Sequence, residues 1–288
     1  MPTGIFHEFS KQRRKMILIH KTIGFTINLM SFVSPKLAGK LALTIFSTPL
    51  KGRIREADFD FLNSAFKEEL SQGDLPVMTY RWVGKNKTIL LAHGWESNSA
   101  RWKSLINNLK KQDYNIIAID APAHGRSGSK QFNAILYSEF INVAAKKFNP
   151  DIIVGHSVGG MAAIFYQHKY QNIDLEKLVL LGAPSNFSGV FERYVRMMGY
   201  NNIIDKQIGK IVLKKYGHLP DYFSAAEFTK SINTSGLIIH DERDRVIPYQ
   251  DAINFEQKYK NAQLIRTEGL GHSLNSETVF EYINTFIA

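Results

Sequence analysis

The sequence contains no cysteine. That excludes disulfides, a thiolate nucleophile and cysteine-ligated zinc, and it suits a reducing, cytoplasmic compartment. Acid is nearly missing from one region. Residues 1–55 hold Glu8 alone against ten basic residues: Lys11, Arg13, Arg14, Lys15, Lys21, Lys36, Lys40, Lys51, Arg53 and Arg55. This stretch accounts for nine of the ten net positive charges and leaves the other 233 residues at +1. A basic extension on a near-neutral body does not describe a nucleic-acid-binding protein, and no nucleic-acid partner is expected. A long apolar run is missing too. The basic cluster from Lys11 to Lys15 precedes an apolar stretch that His20-Lys21 interrupts after four residues. With no small-x-small site behind it, this fits neither a signal peptide nor a membrane span of about 20 apolar residues. No histidine–carboxylate cluster has metal-ligand spacing, so neither a metal nor a cofactor is expected.

What is present describes a folded α/β protein. Hydrophobic residues make up 44% and charged residues 22% of the 288 positions, enough for a sizeable core. In the extension, Ser34-Pro35 offers a cap and first-turn proline for a second helix through Leu37–Leu43 after a first through Met16–Val33. Two amphipathic helices have three places to go: the main body, a second subunit, or an anionic membrane surface on its inner face. The oligomeric state is left open. We place the extension at residues 1–74 and the main domain at 75–288.

From residue 75 buried strands alternate with helices. Val77–Val83 reads as a half-exposed strand, and Thr88–Ala92, Ile116–Ile119, Ile152–Val154, Leu178–Leu181, Leu237–Ile239 and Gln263–Arg266 follow it. Helices are expected over Ser99–Lys110, with Ser99 as its cap, over Asn133–Lys147, and from Glu277. This pattern predicts a mostly parallel sheet covered on both faces. Residues 186–234 interrupt it with aromatics such as Phe187, Phe191, Tyr194 and Tyr222 but no run of strands, which predicts a helical insertion.

The stretch with most chemistry in it is Ile152-Ile153-Val154-Gly155-His156-Ser157-Val158-Gly159-Gly160. A buried strand runs into a tight turn and then a helix, with a serine at the apex. Gly155 and Gly159 flank the serine because side chains there would collide in so sharp a turn. Other polar residues also follow strands: His93-Gly94-Trp95, Asp120 through Ser127, His240-Asp241-Glu242-Arg243-Asp244, and Gly271-His272-Ser273. In open parallel sheets, ligand sites form beyond those strand ends.

These five segments, in this order, resemble an α/β-hydrolase-fold serine hydrolase over about residues 75–288. The resemblance implies Ser157 as nucleophile, His272 as base and Asp244 as the acid that orients it. Asp241 and Glu242 compete with Asp244 for the last role, and Asp120 is a fallback. It also implies an oxyanion hole made by the backbone N–H groups of Trp95 and Val158, each donor worth about 2.7–4 kcal/mol. His93, Gly94, Gly155 and Gly159 are then structural; His93 and His124 brace their loops, and His156 is structural within the elbow. The insertion's aromatics then pack against the main domain, form a helical cap over an acyl-binding pocket, or do both.

The expected substrate is a small-molecule acyl compound, a carboxylic ester with a lipophilic acyl group. The same residues serve a thioesterase, an amidase or peptidase, or an acyltransferase. A non-catalytic binding scaffold at a membrane, held through residues 1–55, is the reading from a different class.

Overall fold

A computed structural model of the chain describes the backbone from residue 3 and side chains from residue 18. The side chains of His7 and of the basic cluster Lys11, Arg13, Arg14 and Lys15 thus lie outside the described residues. The chain opens with α1 (Thr3–Val33), α2 (Pro35–Ser47) and a short α3 (Phe59–Asn63). Next come β1 (Phe66–Gln72), β2 (Leu75–Trp82), β3 (Asn86–Ala92), α4 (Lys103–Lys110), β4 (Tyr114–Ile119), α5 (Ala134–Phe148), β5 (Ile152–His156) and α6 (Val158–Tyr170). β6 (Lys177–Leu181) leads into α7 (Phe187–Met198), α8 (Asn202–Tyr216) and the one-turn α9 (Ala225–Phe228). β7 (Ser235–Asp241), α10 (Gln250–Lys258), β8 (Ala262–Thr267) and α11 (Glu277–Ile287) complete it.

These elements form two compact units. Thr48–Asn186 with Ser224–Ala288 make one, and Met1–Ser47 with Phe187–Phe223 make the other. The first is built on one eight-stranded sheet in the order β1-β2-β4-β3-β5-β6-β7-β8. β1–β2 and β2–β4 pair antiparallel, and all other neighbours pair parallel. Its centre is apolar on both faces: Ile89, Leu90, Leu91, Ile116, Ile117, Ile152, Ile153 and Val154 are all fully buried. Each such side chain contributes about 1.5–3 kcal/mol through burial, which is why these runs do not alternate with polar residues.

Helix ends follow local chemistry. Asn133 Oδ1 accepts the Leu136 N–H at 2.8 Å, and Ser276 caps α11 through Val279 N–H. At the turn before α4 the cap is Asn98, whose Oδ1 accepts from Ala100 N–H at 3.0 Å, and not Ser99. Ser99 instead gives both its N–H and its hydroxyl to the buried Asp120 carboxylate, at 2.9 and 2.7 Å. A buried carboxylate needs such donors more than a helix end beside water does.

The sheet also begins earlier than the expected boundary at residue 75. Phe66–Gln72 is a strand paired in register with Leu75–Arg81, so the extension proper ends at Ser47. β1 buries neither face, and its Lys67-Glu68-Glu69 run carries no apolar alternation to announce it.

The second unit joins the two sequence irregularities to each other. The N-terminal helices pack on the insertion. An added Cβ at Gly24 of α1 would stand 1.8 Å from the Met198 carbonyl oxygen, and one at Gly39 of α2 would stand 2.6 Å from Gln207 Cβ. Only glycine permits helices to approach this closely. Beside the first contact, Asn28 Nδ2 donates to Gly199 O (2.8 Å), Asn28 Oδ1 accepts from Asn201 N–H (2.9 Å), and Asn201 Nδ2 donates to Ser31 Oγ (2.9 Å). The Phe46 ring lies 6.0, 5.9 and 4.7 Å from the rings of Phe187, Phe191 and Tyr194. Much of the insertion's aromatic content is used here. Among the described residues, no helix is long and apolar enough to cross a membrane.

Candidate active site

The turn from β5 to α6 holds Ser157 at φ 53°, ψ −127°. This is a strained conformation for a residue with a side chain, and it persists only where the surroundings enforce it. They do so through backbone and space. Ser157 N–H donates to Leu181 O at 2.8 Å, and Gly160 N–H donates to Ser157 O at 2.9 Å. A Cβ at Gly159 would stand 2.2 Å from Ala92 O, and one at Gly155 would stand 2.5 Å from Gly160 Cα. The flanking glycines let α6 start directly against β3 and β5. Ser157 is 95% buried, yet its hydroxyl has a partner.

That partner is His272, in a short 3₁₀ turn (Gly271–Ser273) after β8. His272 Nε2 lies 3.1 Å from Ser157 Oγ, and Nδ1 lies 2.7 Å from Asp244 Oδ2. A carboxylate only accepts, so Nδ1 carries the proton and Nε2 is left as an acceptor facing the hydroxyl. Asp244 Oδ1 accepts the N–H groups of Val246 (2.7 Å) and Ile247 (3.0 Å). Burial alone would raise the Asp244 carboxyl. The His240 and His272 rings and those two N–H groups outweigh it and hold the carboxyl well below its usual range.

The competing acids are engaged elsewhere. Asp241 accepts from Arg243 N–H, Thr267 Oγ1 and Leu270 N–H. Glu242 pairs with Arg266 near the surface. Asp120 is fully buried beneath donors from Ser99, Tyr80 and Arg126.

The Gly94-Trp95 turn faces Ser157 closely: a Cβ on Gly94 would stand 2.9 Å from Ser157 Cβ. Val158 is the first residue of α6, so the two backbone positions singled out in the sequence flank the serine. Two histidines clamp the residues beside Trp95. His93 donates from Nδ1 to Gly94 O (2.7 Å) and accepts the Ala121 N–H at Nε2 (2.9 Å). His124 donates from Nδ1 to Pro122 O (2.8 Å) and accepts the Glu96 N–H at Nε2 (3.0 Å). Burial lowers the pKa of both, that of His93 strongly, and each must be neutral to accept its N–H.

Three further residues hold Asp244 and His272 in place, of which the sequence reading had given a role only to His156, as structural within the elbow. His156 Nε2 donates to His272 O at 2.8 Å. Arg101 Nη2 donates to Ser273 O at 3.0 Å, and burial pulls its guanidinium down to about 10. His240, fully buried, places Nε2 3.0 Å from Ile247 O and 3.5 Å from Asp244 Oδ2. His240 had a sequence signal in its place at the end of β7, four residues before Asp244. Arg101 had none, since a basic residue at a helix start reads as solvated.

Comparisons with known proteins agree with this architecture. The family model for the alpha/beta hydrolase fold matches residues 87–232. The AB hydrolase superfamily protein YisY of Bacillus subtilis is 22% identical, covering 72% of this chain and 92% of its own. The bifunctional esterase/perhydrolase DCH of Acinetobacter calcoaceticus is 25% identical, over 69% of this chain and 91% of its own. Among solved structures, alpha/beta hydrolase domain-containing protein 10 from mouse superposes with a TM-score of 0.59 at 14% identity, over 77% of this chain and 97% of its own. The sheet order, the strained serine turn and the family match together make this chain a member of the α/β-hydrolase family.

Proposed function

We propose that this protein is a serine hydrolase that cleaves carboxylic esters through Ser157, His272 and Asp244. The observation that carries the reading is the continuous hydrogen-bond chain from Ser157 Oγ through His272 to Asp244. A serine hydroxyl is a weak nucleophile at neutral pH and needs a base within reach. His272 Nε2 takes the proton as Oγ attacks the ester carbonyl, and Asp244 stabilises the imidazolium that forms. The backbone N–H groups of Trp95 and Val158 receive the oxyanion of the tetrahedral intermediate. As it collapses, the C–O bond to the alcohol breaks and His272 returns its proton to the leaving oxygen. Water then attacks the acyl-serine with His272 again as base, releasing the acid and restoring Ser157.

One feature favours an apolar acyl group: the Trp95 and Phe132 rings meet edge to face at 5.3 Å beside the Gly94 turn. The ester itself is favoured by the esterase activity that stands in the name of a relative over most of this chain. A p-nitrophenyl ester series of increasing acyl length tests the proposal. Turnover is expected to rise with chain length above acetate and to vanish in Ser157→Ala. Ester turnover that persists in Ser157→Ala would overturn the assignment of the nucleophile. Covalent labelling by a fluorophosphonate without ester turnover would overturn the substrate class and keep the nucleophile.

A further inference from the structure

The helical unit carries a surface that its internal packing does not explain. One side of α1, through Gly24, Ile27 and Ser31, is buried. Its other side presents Leu18, Phe25, Leu29, Phe32 and Val33, which are 53–88% exposed. At about 100° per residue these five positions fall within an arc of about 100°, one continuous stripe along four turns. Thr22, inside the stripe, and Thr26, beside it, turn their hydroxyls onto the helix: Thr22 Oγ1 donates to Leu18 O at 2.9 Å and Thr26 Oγ1 to Thr22 O at 3.0 Å. A helix face whose polar groups are turned back onto its own carbonyls suits an apolar surrounding better than water. Of the twenty large apolar side chains exposed among the described residues, twelve lie in this unit of 84 residues.

The charge is segregated in the same way. The helical unit holds 13 Lys/Arg against four acids, a net +9, while the 204 residues of the sheet-bearing unit carry +1. The basic residues come from both sequence segments: Lys21, Lys36 and Lys40 from the N-terminal helices, Lys206, Lys210 and Lys214 from α8.

We infer that the stripe on α1 is the face by which this protein docks on an anionic lipid bilayer. An exposed apolar helix face within a strongly cationic unit matches the two requirements of interfacial binding, apolar insertion to the acyl boundary and attraction to acidic headgroups. A second copy is the other occupant an apolar stripe invites, but pairing two such units sets +9 against +9. The apolar stripe supplies depth and the lysines of the same unit supply selectivity for negative charge.

The test is sedimentation of the full chain with vesicles. One set is pure phosphatidylcholine, and the other contains 30 mol% phosphatidylglycerol. Selective binding to the anionic vesicles is expected, falling at least tenfold in 0.5 M NaCl. The variant Phe25→Ser/Leu29→Ser/Phe32→Ser is expected to lose at least tenfold in vesicle affinity with an unchanged melting temperature, since all three side chains are exposed. Lys36→Glu/Lys40→Glu is expected to weaken anionic binding and to leave the low binding to phosphatidylcholine as it was. Equal binding to both vesicle types, or undiminished binding by the triple-serine variant at an unchanged melting temperature, would overturn the proposal. So would a wild-type dimer in size-exclusion chromatography that the triple-serine variant dissolves, with no vesicle binding by either protein.

Discussion

The two units of this chain solve opposite problems. The sheet-bearing unit buries β-branched runs on both faces and encloses carboxylates beneath dedicated donors: Asp120 under Ser99, Tyr80 and Arg126, and Asp251 under Ser185. Its near-zero net charge leaves burial, and after it local hydrogen bonds, to set the protonation of individual groups. The helical unit has few enclosed polar groups, concentrates nearly all of the net charge, and leaves large apolar side chains in the open. A reacting serine needs fixed geometry and dry surroundings. A surface-seeking helix needs amphipathicity and charge. On the two proposals made above, the difference in construction separates where chemistry is organised from where a surface is presented.

The largest effects should come from the sheet-bearing unit. Ser157→Ala removes the proposed nucleophile, and loss of a residue acting as part of such a set lowers kcat by up to about 10⁶-fold. Steady-state ester kinetics check this, with melting temperature as the control. Asp244→Asn leaves the position filled but frees His272 to adopt the wrong tautomer, for which a fall in kcat of about 10⁴-fold is expected. An Asp244→Asn enzyme as active as wild type would break the claim that Asp244 orients the base.

The third prediction concerns acid. His93, His124 and His156 all lie in the sheet-bearing unit, and burial lowers the pKa of each below 6.5. Below about pH 6.5 the unfolded chain binds protons at these positions that the folded chain refuses, so stability falls as pH falls. Each histidine contributes a slope of at most about 1.4 kcal/mol per pH unit, from the unfolded pKa down to its folded one. Urea denaturation at pH 7.5, 6.5 and 5.5 reads this; a flat profile would contradict the buried neutral state.

A fourth, smaller effect belongs to the helical unit. Gly24→Ala sets a methyl group against the Met198 carbonyl, and forced overpacking of this kind costs about 1–3 kcal/mol. Hydrogen exchange should accelerate in α1, α7 and α8 while β3 to β6 keep their protection. Loss of protection throughout both units would show that they are less separable than their construction implies.

Much of the sheet was legible because its strands are both short and wholly apolar. Ile152–Val154 and Ile116–Ile119 could be read with no knowledge of their neighbours. The serine turn was equally legible, since its glycines follow one another at a short fixed spacing, even though Gly159 is also required by the distant Ala92 carbonyl. What escaped depends on contacts far apart in the chain. Nothing in Gly24 or Asn28 announces that they meet Met198 and Asn201, so the packing partner of the N-terminal helices had three open answers. β1 escaped for a different reason: an edge strand without a buried face has no periodic signal to show. His156 was legible as structural from its place in the elbow. Its hydrogen bond to the His272 carbonyl was not, because the two lie 116 residues apart.

The central claim is that Ser157 is the activated nucleophile, and the most direct test is covalent capture. Folded wild-type protein treated with a fluorophosphonate should gain a single adduct by intact mass, mapped to the peptide containing Ser157. The adduct should be absent from Ser157→Ala and slowed at least about 10³-fold in His272→Gln. A folded wild type that gains no adduct, or gains one on another residue, would contradict the account.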